Sequence, residues 1–212
     1  MVLEVAYLGS ARSTGTDLIL WALVSTAGFT LVGAALHFPP FGGETFDGGA
    51  AAFGALLGAI SGVLVGALQR PLLRRLVPGA RGWVLATTIG FAAMHAIGDG
   101  VPSSVATVTL TGGAVLGAMQ WAILRRFFSR AAWWIPATLS SLFIGSTLGL
   151  GAAWSLGLMA WTGPAGWGAQ HAFVSAVGGL LVGLTTGWLM VRLPRRSGAE
   201  TTAGSGRAAR SP

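Results

Sequence analysis

The chain has no cysteine, no lysine, one tyrosine and six acidic residues. Without cysteine there is no disulfide framework, no thiolate zinc site, no cysteine-ligated cluster and no Cys nucleophile. Charged residues make up 9% of the 212 positions, against roughly 25% in an ordinary soluble domain. Disorder over most of the length is excluded as well, because 53% of the residues are hydrophobic and disordered chains are poor in such residues.

Familiar catalytic signatures are missing too. No Gly-x-Ser-x-Gly elbow, phosphate loop or His-Glu-x-x-His is present. Gly42-Gly43 falls in a turn and Gly112-Gly113 in an apolar run, with no strand ahead of either, so a dinucleotide site is unsupported. The pair Glu44 and Asp47 reads as solvated loop charge. The expectation is a protein that is not an enzyme.

What the chain does have is six apolar runs, at 18–38, 50–68, 83–97, 104–124, 131–154 and 169–193. A spanning helix needs about 20 mostly apolar residues. Five runs meet that within a residue or two, and the third is short. A soluble bundle would need a polar face on each helix, which these runs lack. The first run is longer than a signal-peptide core, follows Glu4 and Asp17, and ends without a cleavage site. The sequence therefore predicts an all-α polytopic transmembrane bundle of six spans over 18–193. A cytoplasmic segment, 1–17, would precede it and a disordered tail, 194–212, would follow.

All 13 basic residues are Arg, giving a net charge of +7. They cluster at alternate connections. Arg12 precedes the first run. Arg70, Arg74, Arg75 and Arg81 follow the second, and Arg125, Arg126 and Arg130 follow the fourth. Arg192, Arg195, Arg196, Arg207 and Arg210 follow the sixth. The intervening connections hold only Glu44, Asp47 and Asp99 as charged residues. Alternation of this kind marks cytoplasmic loops, placing both termini inside the plasma (inner) membrane. It argues for a lipid bilayer and against nucleic acid as the partner.

Two registers recur. In the even runs, Gly62-x3-Gly66-x2-Gln69 matches Gly113-x3-Gly117-x2-Gln120 and Gly179-x3-Gly183-x2-Thr186. In the odd runs, Trp21, Trp83 and Trp134 are followed four residues later by Ser25, Thr87 and Thr138. Seven residues later come Gly28, Gly90 and Ser141, then Phe29, Phe91 and Leu142. This predicts one helical hairpin repeated three times, related by an axis along the membrane normal. Gly58, Gly62 and Gly66 form one small-residue strip, Gly113 and Gly117 a second, and Gly179, Gly183 and Gly187 a third. Such strips are helix-packing faces. Gln69 and Gln120, at their basic ends, are expected to bond a neighbouring helix or the headgroup region. The nine Trp read as an aromatic belt: Trp21, Trp83, Trp121, Trp133, Trp134 and Trp188 on the inner side, Trp154, Trp161 and Trp167 on the outer.

The hairpin ending in Gln120-Trp121-x3-Arg125-Arg126, with Trp133-Trp134 opening the next run, resembles a group of small uncharacterised multispan bacterial membrane proteins. The resemblance covers most of residues 50–192. It implies the multispan fold and brings no activity with it. The second run departs from it, with Arg70 in place of Trp after Gln69.

His37, His95 and His171 fall at the outer side in this topology. His95 and Asp99 lie four residues apart and share a helix face. His beside a carboxylate can ligate a metal or cofactor, or sense pH. These four residues are the candidate cofactor site, with no cofactor or metal identified. They do not occupy equivalent repeat positions, since Gly33 and Ser146 match His95. No run carries Asp, Glu, Lys or Arg near its centre, where ion-coupled transporters keep an ionisable residue. Three functions follow in order. The first is a structural or accessory subunit packing partner membrane helices or an apolar ligand on its Gly-rich faces. The second is a small transporter or channel for a neutral solute. The third is a cofactor-binding protein using the outer histidines.

The absence of Cys makes the topology directly testable. Cys introduced at Gly43 is expected to react with an impermeant thiol reagent added to intact cells, and Cys introduced at Ser129 only after lysis. The opposite pattern would invert the orientation.

Overall fold

The computed structural model describes residues 2–35, 48–77, 79–100, 105–161 and 163–195. They form six helices: α1 (Val2–Ala35), α2 (Gly48–Leu76), α3 (Trp83–Gly100), α4 (Val105–Leu124), α5 (Trp134–Ser155) and α6 (Gly163–Arg192). Short 3-10 turns, Ala131–Trp133 and Leu158–Ala160, precede and follow α5. In hydrocarbon every backbone N–H and C=O must find a partner within the protein, and the helix supplies those partners locally. Helix α1 begins well before the apolar run at 18, but only its Gly15–Ala35 portion is apolar enough to span.

Among the described residues five helices are long and apolar enough to cross a membrane: α1, α2, α4, α5 and α6. The apolar part of α3, Trp83–Gly98, is shorter, as its sequence predicts. Each helix packs against its chain neighbours, and α6 returns to α1, so the six close into a ring. Contact is most extensive between α2 and α3 and between α6 and α1, and least between α1 and α2.

Inside the ring are two apolar layers to which all six helices contribute. One contains Trp21, Leu73, Trp83, Leu124, Trp134 and Leu189. The other contains Phe29, Val65, Phe91, Leu116, Leu142 and Val182. Polar side chains are also inside, among them Ser25, Gln69, Thr87, Gln120, Thr138 and Thr186, all buried. Leu23, Leu31, Leu56, Leu85 and Leu148 point outward and are more than half exposed. Polar groups within and large aliphatic residues without suit a lipid solvent, since a water-soluble chain rarely exposes apolar patches this extensive.

The Gly strips explain how the ring closes. A Cβ at Gly62 would fall on the Cα of Thr88, and one at Gly58 on the carbonyl of Phe91. At Gly66 it would lie 3.0 Å from the Val84 Cα. On α4, Gly113 and Gly117 would meet the Leu139 and Ile135 Cα atoms at 2.8 and 3.0 Å. On α6, Gly179 would meet the Phe29 Cβ and Gly183 the Ala22 Cα, each at 2.7 Å, while Gly187 faces the Trp21 ring. Each even helix thus lies backbone to backbone against the next odd helix: α2 on α3, α4 on α5, α6 on α1. Lipid tails are as apolar as Leu, so helices gain little by hiding apolar surface from them, and close approach supplies the attraction instead. All eight predicted packing glycines are occupied by the chain's own helices. These faces leave no room for a partner helix or an apolar ligand.

Gly62→Leu, Gly117→Leu and Gly183→Leu should each force two backbones apart and cost about 1–3 kcal/mol or more. Gly151→Leu should change stability little, because nothing lies within 4 Å of its added Cβ. Unfolding in mixed micelles measures both. Equal behaviour of all four variants would contradict the packing.

Candidate functional site

Among the described residues the densest chemistry is a series of hydrogen bonds between helices. Gln69 on α2 accepts from the Trp83 indole N–H at 3.1 Å and donates to Ser25 Oγ at 3.0 Å. Gln120 on α4 accepts from the Trp134 indole N–H at 2.8 Å and donates to Thr87 Oγ1 at 3.3 Å. Trp21 donates to Thr186 Oγ1 on α6 at 3.0 Å. The Thr186 hydroxyl itself donates to the Val182 carbonyl, and that of Thr138 to the Trp134 carbonyl. A Gln amide has a donor and an acceptor at the end of one flexible arm, so it can tie two helices at once. Threonine is too short to do the same at 186.

These bonds fix three indoles against one another. Trp21 and Trp83 meet edge-on with ring centroids 6.0 Å apart, as do Trp83 and Trp134. Edge-to-face contact places the positive rim of one ring on the negative face of the next. In the second layer Phe29 and Phe91 pack at 5.3 Å. The two layers fill the centre of the ring.

The aromatic-belt reading of Trp21, Trp83 and Trp134 is therefore corrected. Each is 1% exposed, and each donates its N–H inside the bundle rather than to a headgroup. Trp133, Trp154, Trp161, Trp167 and Trp188 do face outward, as a belt requires. The adjacent pair Trp133 and Trp134 shows the distinction, one outward and one at the core. Gln170 is a buried polar residue that sequence reasoning missed. Its amide donates to the carbonyls of Leu158 and Trp161, at 2.8 and 2.7 Å, and ties down the connection between α5 and α6. The signal was that Gln170 is the third of only three glutamines in an otherwise apolar chain.

The candidate cofactor residues are placed as follows. His95, on α3, stacks on Phe91 with centroids 6.5 Å apart. His171, on α6, has Nδ1 2.7 Å from the Trp167 carbonyl, a contact within its own helix. The backbone of Asp99 belongs to the last turn of α3, while its side chain and the whole of His37 lie outside the described residues. Among the described residues no group of three His, Asp or Glu is placed to hold a metal.

The basic end of the bundle is held by backbone contacts. Ser129 N–H donates to the Pro194 carbonyl, and Arg195 donates to the Leu76 carbonyl at 2.9 Å. Arg125 lies over the Trp121 ring, 5.1 Å from its centroid, and Arg192 over Trp188 at 5.9 Å. Between α2 and α3 a cavity of about 1060 Å³ opens instead, with Arg70, Arg74 and Arg81 in its lining. Comparison with protein-family models, with curated proteins and with solved structures finds no match.

Gln69→Leu and Gln120→Leu each leave a buried indole N–H without its acceptor, at an expected cost of about 1–3 kcal/mol. A double-mutant cycle of Gln69→Leu with Trp83→Phe should show a coupling of about 0.6–1.7 kcal/mol. Trp133→Phe, at the exposed neighbour of Trp134, should stay within about 0.5 kcal/mol of wild type. Zero coupling in the cycle would rule out the Gln69–Trp83 bond.

Proposed function

We propose that the chain is a six-span protein of the plasma (inner) membrane, with both termini cytoplasmic, assembled from three copies of one helical hairpin. In this reading it acts without catalysis, as a structural or accessory subunit that meets other membrane proteins and lipids through its outer surface. The Arg distribution supports the orientation. The hairpin repeat is supported by equivalent bonds at equivalent registers: Gln69 to Trp83 and Gln120 to Trp134, each pair 14 residues apart. The sixth helix closes the same circuit with Thr186 in the place of Gln. The short α3 counts as a span because it packs in the ring between α2 and α4.

One observation carries the functional reading. The bundle axis is occupied by interlocked indoles at one level and by Phe29, Phe91 and Leu142 at the next. Every polar side chain of the Trp–Gln layer is bonded to another helix or to a backbone carbonyl. A solute path along this axis would have to break those bonds and displace large side chains. The neutral-solute transporter therefore ranks below the structural reading. The Gly-rich faces are engaged internally, so partner helices would meet the exposed aliphatic and Trp residues of the periphery.

Reconstitution tests this. Vesicles containing the purified protein should show the same permeability to glycerol, urea and small ions as protein-free vesicles. A saturable, protein-dependent flux that Gln69→Leu or Gln120→Leu alters would replace this reading with the transporter.

A further inference from the structure

The cavity between α2 and α3 lies where the register of the even helices changes, in a basic connection. After Gln120 and shortly after Thr186 stand Trp121 and Trp188, each covered by an Arg. After Gln69 stands Arg70, and no aromatic ring fills the position. Ala67, Arg70, Pro71 and Arg74 follow helical spacing along one face of α2 and form one wall. The connection from Gly79 to Gly82 forms the other. Its glycines take positive φ values of 93° and 87°, which lets the chain turn tightly and bring Arg81 back over the groove beside Trp83. No acidic residue contributes to the lining, so Arg70, Arg74 and Arg81 line it without a carboxylate. Pro71 has no N–H, so the Ala67 carbonyl in the wall loses its helical donor.

Beyond Ala67, away from the basic end, the same face of α2 continues as Val63 and Ile60. On α3, the helix packed against α2, Leu85 and Ile89 are exposed, as are Val63 and Ile60, and Leu85 also lines the cavity. The surface of these two helices therefore changes from cationic at the cavity to aliphatic beyond it. That is the order in which a phospholipid presents its headgroup and its acyl chain.

The geometry points to an anionic phospholipid seated between α2 and α3: its phosphate on Arg70, Arg74 and Arg81, and an acyl chain along Ile60, Val63, Leu85 and Ile89. Guanidinium forks pair with phosphate oxygens through two parallel N–H bonds, and basic pockets between helices on the cytoplasmic side hold anionic headgroups. The Ala67 carbonyl is placed to accept from a headgroup hydroxyl. The site rests on the membrane reading given above.

Native mass spectrometry of the full chain released from mild detergent tests it, with dioleoylphosphatidylglycerol, dioleoylphosphatidylcholine and inorganic phosphate as probes. Wild type should retain one phosphatidylglycerol per chain in preference to phosphatidylcholine, and millimolar phosphate should not displace it. The Arg70→Gln/Arg74→Gln/Arg81→Gln variant should bind it about 100-fold more weakly. Arg125→Gln/Arg126→Gln/Arg130→Gln, which removes the same charge from the next basic connection, should bind as wild type does. Ala67→Trp fills the groove, keeps every Arg, and should also lose the lipid. It covers the case in which the triple Gln variant fails to fold. Equal retention by wild type and Ala67→Trp, or equal loss in the two triple variants, would overturn the site. Displacement by phosphate alone would make it an anion site rather than a lipid site. Equal binding of both lipids would refute the site while leaving the membrane reading intact, whereas failure to enter vesicles at all would refute that reading.

Discussion

Helices dissolved in hydrocarbon gain almost nothing by hiding apolar surface from one another, so some other force must select which faces meet. Here the selecting interaction is the indole-to-amide bond. Trp83 to Gln69 and Trp134 to Gln120 each join an odd helix to the preceding even one, and Trp21 to Thr186 joins the last helix to the first. Such a bond requires the helices to approach closely and in one register. The Gly strips meet that requirement, and neither feature would be sufficient alone. A Leu at Gly62 would hold α3 too far away for Gln69 to reach it. Without Gln69, the smooth face of α2 could slide along α3 by a turn at little cost.

Much of this was legible in the residues. The apolar runs, the Arg alternation and the recurring Gly-x3-Gly spacing point to helices in a bilayer, and the strips lie on packed faces as small-residue strips should. The three inner indoles were harder to read. Tryptophan is amphipathic, so the same residue suits an interface, where headgroups take its N–H, or a core, where a side chain takes it. Spacing within a single helix does not separate the two cases. The partner sits on another helix, and the clue to it is the shared separation of 14 residues from Gln69 to Trp83 and from Gln120 to Trp134. Gln170 was illegible for a similar reason. It bonds to carbonyls of a connection whose path depends on Gly157 and Gly163 adopting positive φ, and no periodicity announces that.

The positions at which the recurring registers differ are as informative as those at which they agree. Thr186 stands where two other helices carry Gln: each Gln bonds the odd helices on both sides of it, whereas Thr186 bonds only Trp21 of α1 and a carbonyl of its own helix. Arg70 stands where an aromatic would be expected, and the bundle opens a basic groove at that point. One leaves α5 and α6 without the side-chain bond that joins the corresponding helices elsewhere, and the other accompanies an open space between α2 and α3.

The joint between α6 and α1 has a temporal consequence. The acceptor for Trp21 lies 165 residues further along the chain, and the Gly strip that covers the same face of α1 is also on α6. During synthesis at about 5–20 residues per second, the first helix waits on the order of ten seconds or more with its indole N–H and its small-residue groove facing lipid or the insertion machinery. The ring therefore stays open throughout translation and closes only when its final helix arrives. A truncated product ending before residue 186 would carry an adhesive first helix with nothing of its own to close on, a marker by which incomplete chains could be recognised and removed.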